Sequence, residues 1–216
     1  MSGEFKVVAF DVDGTLMESN LWPRLHKVMG LNQAVDTEWM RRYLKGDLTL
    51  REWYTNIGIA WRTHPESRSV CEEICKDFTL LPNADHLVKT IMGRGIPVAL
   101  ISSGLDLYVE AVAARFGISH VYCYTKTIFN EQDFFHDITF TSLQSEHSAK
   151  VDGIRDLEKI YGVSPEEVLF VGDSINDLEA FQYTKRGILY GEGNETLRSA
   201  AWKQVNDLKD VLAFVE

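Results

Sequence analysis

Phe5-Lys6-Val7-Val8-Ala9-Phe10-Asp11-Val12-Asp13-Gly14-Thr15 is an apolar run that stops abruptly at two aspartates. A short run rich in β-branched residues reads as a buried strand, which puts the carboxylates of Asp11 and Asp13 at its C-terminal end. The same arrangement recurs further along the chain. Ile96–Ile101 is a second strand-like run that ends at Ser102-Ser103-Gly104, and Val168–Val171 is another that ends at Gly172-Asp173, with Asp177 four residues on. Val121–Tyr124 and Gly187–Tyr190 read as further short strands. Between and after these runs, helical patterns are predicted over Asn83–Arg94, Leu105–Phe116 with Gly117 as its stop, Ser148–Tyr161, Asn176–Tyr183, Glu195–Ala201 and Leu208–Val215. Strands alternating with helices predict an α/β fold, a doubly wound, Rossmann-like parallel sheet.

Two segments interrupt the alternation. From about residue 17 to 80 the periodicity is helical, clearest in Leu50, Trp53, Ile57 and Trp61. The predicted organisation is therefore a core of residues 1–15 and 82–216 with a helical cap, 16–81, inserted after the first strand. Lys126 to Thr141 alternates and is polar, which predicts a hairpin turning near Glu131-Gln132-Asp133, read as decoration of the core.

Composition narrows the function. The 216 residues are 45% hydrophobic and 25% charged, close to the soluble globular average, which argues against disorder, collagen and coiled coils. Lys and Arg number 22 against 32 Asp and Glu, and the net charge of −10 repels phosphate backbones and anionic membranes, so no nucleic acid and no membrane partner is expected. Cys71, Cys75 and Cys123 cannot pair completely and no secretory leader precedes the first strand, so a reducing, cytoplasmic location is expected, with Cys71 and Cys75 as packing residues. No window approaches the apolar length of a membrane span. The histidines, among them His26 and His147, have no mutual ligand spacing and read as structural or surface residues.

Polar residues that end successive strands of an open parallel sheet converge in space. Asp11, Asp13, Ser102, Ser103, Asp173 and Asp177 form such a set, and Lys150, at the start of a predicted helix, adds a cation, with Lys126 as the other candidate. Four ionised carboxylates and one ammonium would leave a net charge of −3, and like charges about 4 Å apart repel by roughly 4 kcal/mol at an effective dielectric of 20. A hard divalent cation resolves this. All-oxygen ligands with no His or Cys in the set suit Mg²⁺ better than Zn²⁺. A proton on Asp13, raised in pKa by its neighbours, would bring the site near neutral before a phosphate arrives, which reads as a phosphoryl-transfer site.

Asp11-Val12-Asp13-Gly14-Thr15, Ser102, Lys150 and Gly172-Asp173-Ser174-Ile175-Asn176-Asp177, in that order over most of the chain, resemble the haloacid dehalogenase superfamily. The helical insert directly after the first motif and the polar hairpin before the lysine resemble its phosphoserine phosphatase branch. The resemblance implies an Mg²⁺-dependent phosphatase of a small phosphorylated metabolite, acting through an aspartyl phosphate as monomer or homodimer. Under it Asp11 is the nucleophile and Asp13 the general acid and base. Ser102, with Ser103 as the register alternative, and backbone N–H groups near Gly104 would bind phosphoryl oxygens. Lys150 would offset charge, Asp11, Asp173 and the Asp13 carbonyl would hold the metal, Asp177 would hold Lys150 or a metal-bound water, and Asn176 would face the substrate. A phosphomutase or phosphotransferase shares the same intermediate, and a regulatory module without catalysis is the reading from another class.

Specificity is expected from the cap. In the phosphoserine phosphatases, an acidic residue after the first motif and a cap arginine read the amino and carboxylate groups of serine. Here Glu18 is the acidic candidate, closer to the nucleophile than that pattern, which falls near Asn20. Arg51 and Arg62 are the candidate arginines, while the matching stretch lies nearer Thr55–Ile57. Trp22, Trp39, Trp53 and Trp61 concentrate in the insert and read as cap core for at least two of them, or as an aromatic pocket.

Overall fold

The computed structural model describes residues 5–18, 21–141 and 146–215, the side chains of residues 146 and 147 excepted. Asn20 and the side chain of His147 lie outside it. The strands in chain order are β1 (Val7–Phe10), β2 (Val98–Ser102), β3 (His120–Cys123), β4 (Thr125–Phe129), β5 (Phe135–Phe140), β6 (Val168–Gly172), β7 (Gly187–Tyr190) and β8 (Lys203–Val205). All but β4 and β5 join one parallel sheet in the order β3-β2-β1-β6-β7-β8. The helices are α1 (Leu21–Val28), α2 (Gln33–Leu44), α3 (Leu50–Trp61), α4 (Arg68–Lys76), α5 (Ala84–Gly93), α6 (Asp106–Phe116), α7 (Glu146–Tyr161), α8 (Leu178–Thr184) and α9 (Glu195–Ala200). No helix of the described residues is long and apolar enough to cross a membrane.

The central strands are apolar without alternation because both faces are covered. Val8, Phe10, Leu100, Leu169 and Val171 pack on one side with α5, α6 and the Leu208–Val215 segment. Val7, Ala9, Ala99, Ile101, Val168 and Phe170 pack on the other with Ile154 and Leu157 of α7 and Ala180 and Phe181 of α8. From β1 the chain builds outward through β2 to β3, then returns to the far side of β1 for β6 and continues to β7 and β8. Connections leaving β1 and β6 in opposite directions open a crevice at their carboxyl ends. The register pairs Phe10 with Val171, and the Asp11 N–H donates to the Val171 carbonyl at 2.9 Å. The aspartates that follow the two strands are thereby neighbours.

Three expectations need correction. The stretch 208–215 winds as a 3₁₀ helix over Leu208–Phe214 rather than as an α-helix. Asn176 belongs to a 3₁₀ turn, Ile175–Asp177, that precedes α8. The edge strand β8 was not foreseen, because Lys-Gln-Val is short and mostly polar, as edge strands often are.

The helical insert is well signalled. Thr49 and Glu52 form a capping box that starts α3, and Ser67 caps α4. The buried stripe of α3 is Leu50, Tyr54, Ile57 and Trp61, so Trp53 sits one position off, on the flank. Cys71 and Cys75 are buried, and burial pushes both thiols up to about 12, as suits packing residues. The hairpin is present, with β4 and β5 antiparallel and Asp133 in the left-handed region at its turn. It is more than decoration. Phe135, 2% exposed, packs edge-on against Trp61 with ring centroids 5.3 Å apart, and Asp137 and Asp133 pair with Arg62 and Arg68 of the insert at 3.3 and 3.0 Å.

Candidate active site

At the crevice, carboxylate oxygens of Asp11, Asp173 and Asp177 lie within 4.8 Å of one another. Gly14 takes φ 76°, and a Cβ there would stand 2.4 Å from Asp173 Oδ2, so only glycine lets the first loop approach the second so closely. Thr15 closes the gap by donating from Oγ1 to Asp173 Oδ1 at 2.8 Å. Asp177 is fully committed. Its Oδ2 accepts the N–H groups of Asp173 and Ser174 at 3.0 and 3.1 Å, and its Oδ1 meets Lys150 Nζ at 2.5 Å.

Lys150, 1% exposed, also reaches Asp11 Oδ1 at 3.0 Å and Asn176 Oδ1 at 3.2 Å. Burial opposes its charge, but Asp11 and Asp177 outweigh that and hold the ammonium above the usual lysine range. Lys126, the other candidate, is exposed on β4. Of the two alternatives for Asp177, the geometry displays the contact with Lys150.

Burial dominates the acids. It raises Asp11 well above the carboxylate range, against the pull of Lys150. It pushes Asp173 up to about 7, reinforced by Asp177 and opposed by Thr15, and Asp13 up to about 6, opposed by Tyr108 and Lys150. Buried carboxylates that resist ionisation are a site short of positive charge. The donor set, all oxygen with Asp173 Oδ2 turned toward the first loop, fits a hard divalent cation held by Asp11 and Asp173, with Asp177 behind them.

Asp13 stands apart from Lys150. Its Oδ2 accepts the Tyr108 hydroxyl, and its Oδ1 is buried with no partner among the described residues. Tyr108 was not singled out from sequence, since an aromatic in the first turns of a helix carries no polar signal. Gly104 makes room for it, because a Cβ there would overlap the Tyr108 hydroxyl at 1.5 Å. Tyr108→Phe is expected to lower kcat about tenfold while KM changes little, because it frees the Asp13 carboxyl to turn. Gly104→Ala is expected to do the same by displacing the ring, and steady-state kinetics of both variants checks the pair.

Ser102 and Ser103 are buried at the end of β2. The Gly104 N–H donates to Ser102 Oγ at 3.1 Å, so in this structure it serves the serine instead of pointing into the crevice as expected. Asn176 Nδ2 donates to Ser103 Oγ at 3.4 Å. A cavity of about 360 Å³ is lined by Asp11, Asp13, Ser102, Ser103, Gly104, Asp173, Ser174 and Asn176 below and by Trp22, Pro23, Gln33, Asp36, Met40, Trp53 and Tyr54 from the insert. The core candidates Asp11, Asp13, Ser102, Ser103, Gly104, Asp173 and Asn176 thus meet on its wall, with Lys150 and Asp177 directly beneath. Glu18 is exposed and its N–H bonds the Thr79 carbonyl, away from the cavity lining. Arg51 stacks over Phe140 at 4.3 Å and Arg62 pairs with Asp137, so neither lines it. The tryptophans divide: Trp61 is core, 1% exposed, and Trp22 and Trp53 line the cavity. Asp36 and Gln33 were missed, because a polar pair in the first turn of a helix reads as ordinary capping chemistry.

Comparison with known proteins agrees with this geometry. Phosphoserine phosphatase of Rattus norvegicus is 28% identical over 217 residues, covering 97% of this chain and 92% of that protein. Phosphoserine phosphatase of Archaeoglobus fulgidus is 24% identical over 198 residues, 92% of this chain, which spans 56% of that longer relative. A solved phosphoserine phosphatase carrying an analogue of its phospho-aspartyl intermediate superposes with a TM-score of 0.78 at 21% identity, covering 99% of this chain and all of that one, and so shares the fold. The family model for haloacid dehalogenase-like hydrolases matches residues 5–183. The chain belongs to the haloacid dehalogenase-like hydrolase family, as an enzyme of its phosphoserine phosphatase-like branch.

Proposed function

We propose that the chain hydrolyses a small phosphomonoester in two steps, through a phosphoryl group carried on Asp11. The observation that supports this best is the division of labour between the two aspartates that follow β1. Asp11 is held against the Lys150 ammonium, a setting for an ionised nucleophile, while among the described residues the Asp13 carboxyl is bonded only to a neutral hydroxyl and keeps one oxygen unpaired.

Asp11 attacks phosphorus, and the bond to the leaving alcohol breaks as Asp13 protonates its oxygen. Asp13, now ionised, takes a proton from water, the water oxygen attacks phosphorus, and the bond to Asp11 breaks. A carboxyl at about 6 is suited to both duties near neutral pH. Lys150, steadied by Asp177 and Asn176, offsets charge on Asp11 and on the phosphoryl oxygens. The Ser102 hydroxyl binds one of those oxygens. Bound by Asp11, Asp173 and the Asp13 carbonyl, Mg²⁺ would draw negative charge from the phosphoryl oxygens. The insert, residues 16–81, acts as a cap that excludes water and contacts the leaving group.

With Mg²⁺, the protein is expected to release phosphate from an aryl phosphate, and EDTA to stop the release until Mg²⁺ is in excess. Steady release in EDTA would overturn the reading. Thermal stability supplies an independent check. Asp13 and Asp173 hold their protons to higher pH in the folded chain than in the unfolded one, so the metal-free protein loses stability as pH rises from 3.8 toward about 7. Mg²⁺ is therefore expected to raise Tm at about pH 8 and far less at about pH 5, where it competes with protons. Equal shifts at both pH values would contradict the site.

A further inference from the structure

The upper half of the cavity differs from a wall built to receive a carboxylate. No arginine or lysine lines it among the described residues. Arg51 is stacked on Phe140, Arg62 is engaged by Asp137, and Lys150 lies beneath Asp11 and Asp177. The stretches outside the description, residues 1–4, 19–20, 142–147 and 216, contain neither residue type. In place of a cation the insert supplies Asp36, 6% exposed.

The neighbours of that carboxylate are neutral donors. Trp53 Nε1 donates to Asp36 Oδ1 at 2.7 Å, and Gln33 Nε2 lies 3.5 Å from Oδ2. His26 Nε2 is 3.2 Å from Oδ2. Trp61 Nε1 donates to His26 Nδ1 at 3.1 Å, and because an indole N–H can only donate, Nδ1 is bare and the proton sits on Nε2. The ring is neutral. Asp36 is thus a buried carboxylate on the cavity wall that no lysine or arginine among the described residues contacts, an arrangement that a bound cation completes.

The rings around it suit such a cation. Trp22 and Tyr54 have centroids 4.9 Å apart at 41°, and Trp53 and Tyr54 are 5.6 Å apart at 61°. Three aromatic rings lining the cavity beside a carboxylate, one pair tilted and the other edge-on, form surroundings in which ammonium groups are bound, through the ring quadrupole and the charge together.

We infer that the leaving group of the substrate carries an amine and no carboxylate, so that the substrate is the phosphate monoester of a small amino alcohol. The inference rests on the phosphomonoesterase reading above. Phosphoserine has the amine, but its carboxylate would be set among Asp11, Asp13, Asp36 and Asp173 with no arginine to receive it. A sugar phosphate stacks on the rings and leaves the Asp36 charge unanswered.

The test compares kcat/KM of the wild-type protein with Mg²⁺ on ethanolamine phosphate, choline phosphate, phosphoserine, a hexose phosphate and an aryl phosphate. At least one of the two amine phosphates is expected to exceed phosphoserine and the hexose phosphate by about tenfold or more. In Asp36→Asn, which keeps an acceptor for Trp53, the ratio of amine phosphate to aryl phosphate is expected to fall about tenfold. Hydrolysis of the aryl phosphate together with equal or better use of phosphoserine or the hexose phosphate overturns the inference and leaves the phosphatase reading standing. An unchanged ratio in a folded Asp36→Asn also overturns it, and no hydrolysis of any ester removes both.

Discussion

Asp11→Asn is expected to lower kcat by at least about three orders of magnitude without lowering the melting temperature. The amide cannot accept a phosphoryl group, so the loss follows from chemistry and not from misfolding. Stability should move the other way. Asp11 is buried, and burial raises its carboxyl well above the usual range, so the metal-free protein bears a cost for this charge at neutral pH. Exchange for an amide removes that cost, and Lys150 keeps Asp177 at 2.5 Å. Function held against stability is expected where a site is built for reaction. A variant that is inactive and also melts well below the wild type would show Asp11 to be a structural ion-pair partner.

Lys150→Met is expected to fail on both counts. The ammonium is 1% exposed and touches Asp11, Asp177 and Asn176, and methionine of similar volume leaves two carboxylates facing each other with no cation. Removing one partner of a buried ion pair costs about 3–5 kcal/mol, which urea unfolding would register as a lower midpoint. Loss of charge on the phosphoryl oxygens is expected to cost about a hundredfold or more in kcat. Lys150→Arg should rescue neither fully, since a planar fork does not fit a pocket shaped for one ammonium. Asp11→Asn and Lys150→Met therefore separate chemistry from support: the first loses activity alone, the second loses both.

The strand ends were legible because their residues break apolar runs. Phe10 to Asp11 and Gly172 to Asp173 are each a change from buried strand to polar turn, Ile101 to Ser102 is a change from apolar to polar at the last residue of β2, and a parallel sheet brings such changes together. Lys150 was legible through its position at the start of a predicted helix, inside what is α7, and through the charge deficit of four aspartates. What escaped was whatever depends on helix rotation. Tyr108 reaches Asp13 because α6 turns that face to the crevice. Trp53 reaches Asp36 because it lies off the buried stripe occupied by Tyr54. A shift of one residue along a helix turns a side chain by about 100°, which periodicity in one segment does not fix. The hairpin was visible as alternation, but its role in bracing the insert through Phe135 and Trp61 is a long-range contact with no local signature.

Rapid acid quench of the wild-type protein during turnover of an aryl phosphate with Mg²⁺, followed by peptide mass spectrometry, tests the central step most directly. One phosphoryl group on the peptide containing Asp11, labile to hydroxylamine and absent from Asp11→Asn, is the predicted result. Turnover with no phosphorylated peptide at any quench time, or with the group on another residue, would contradict it.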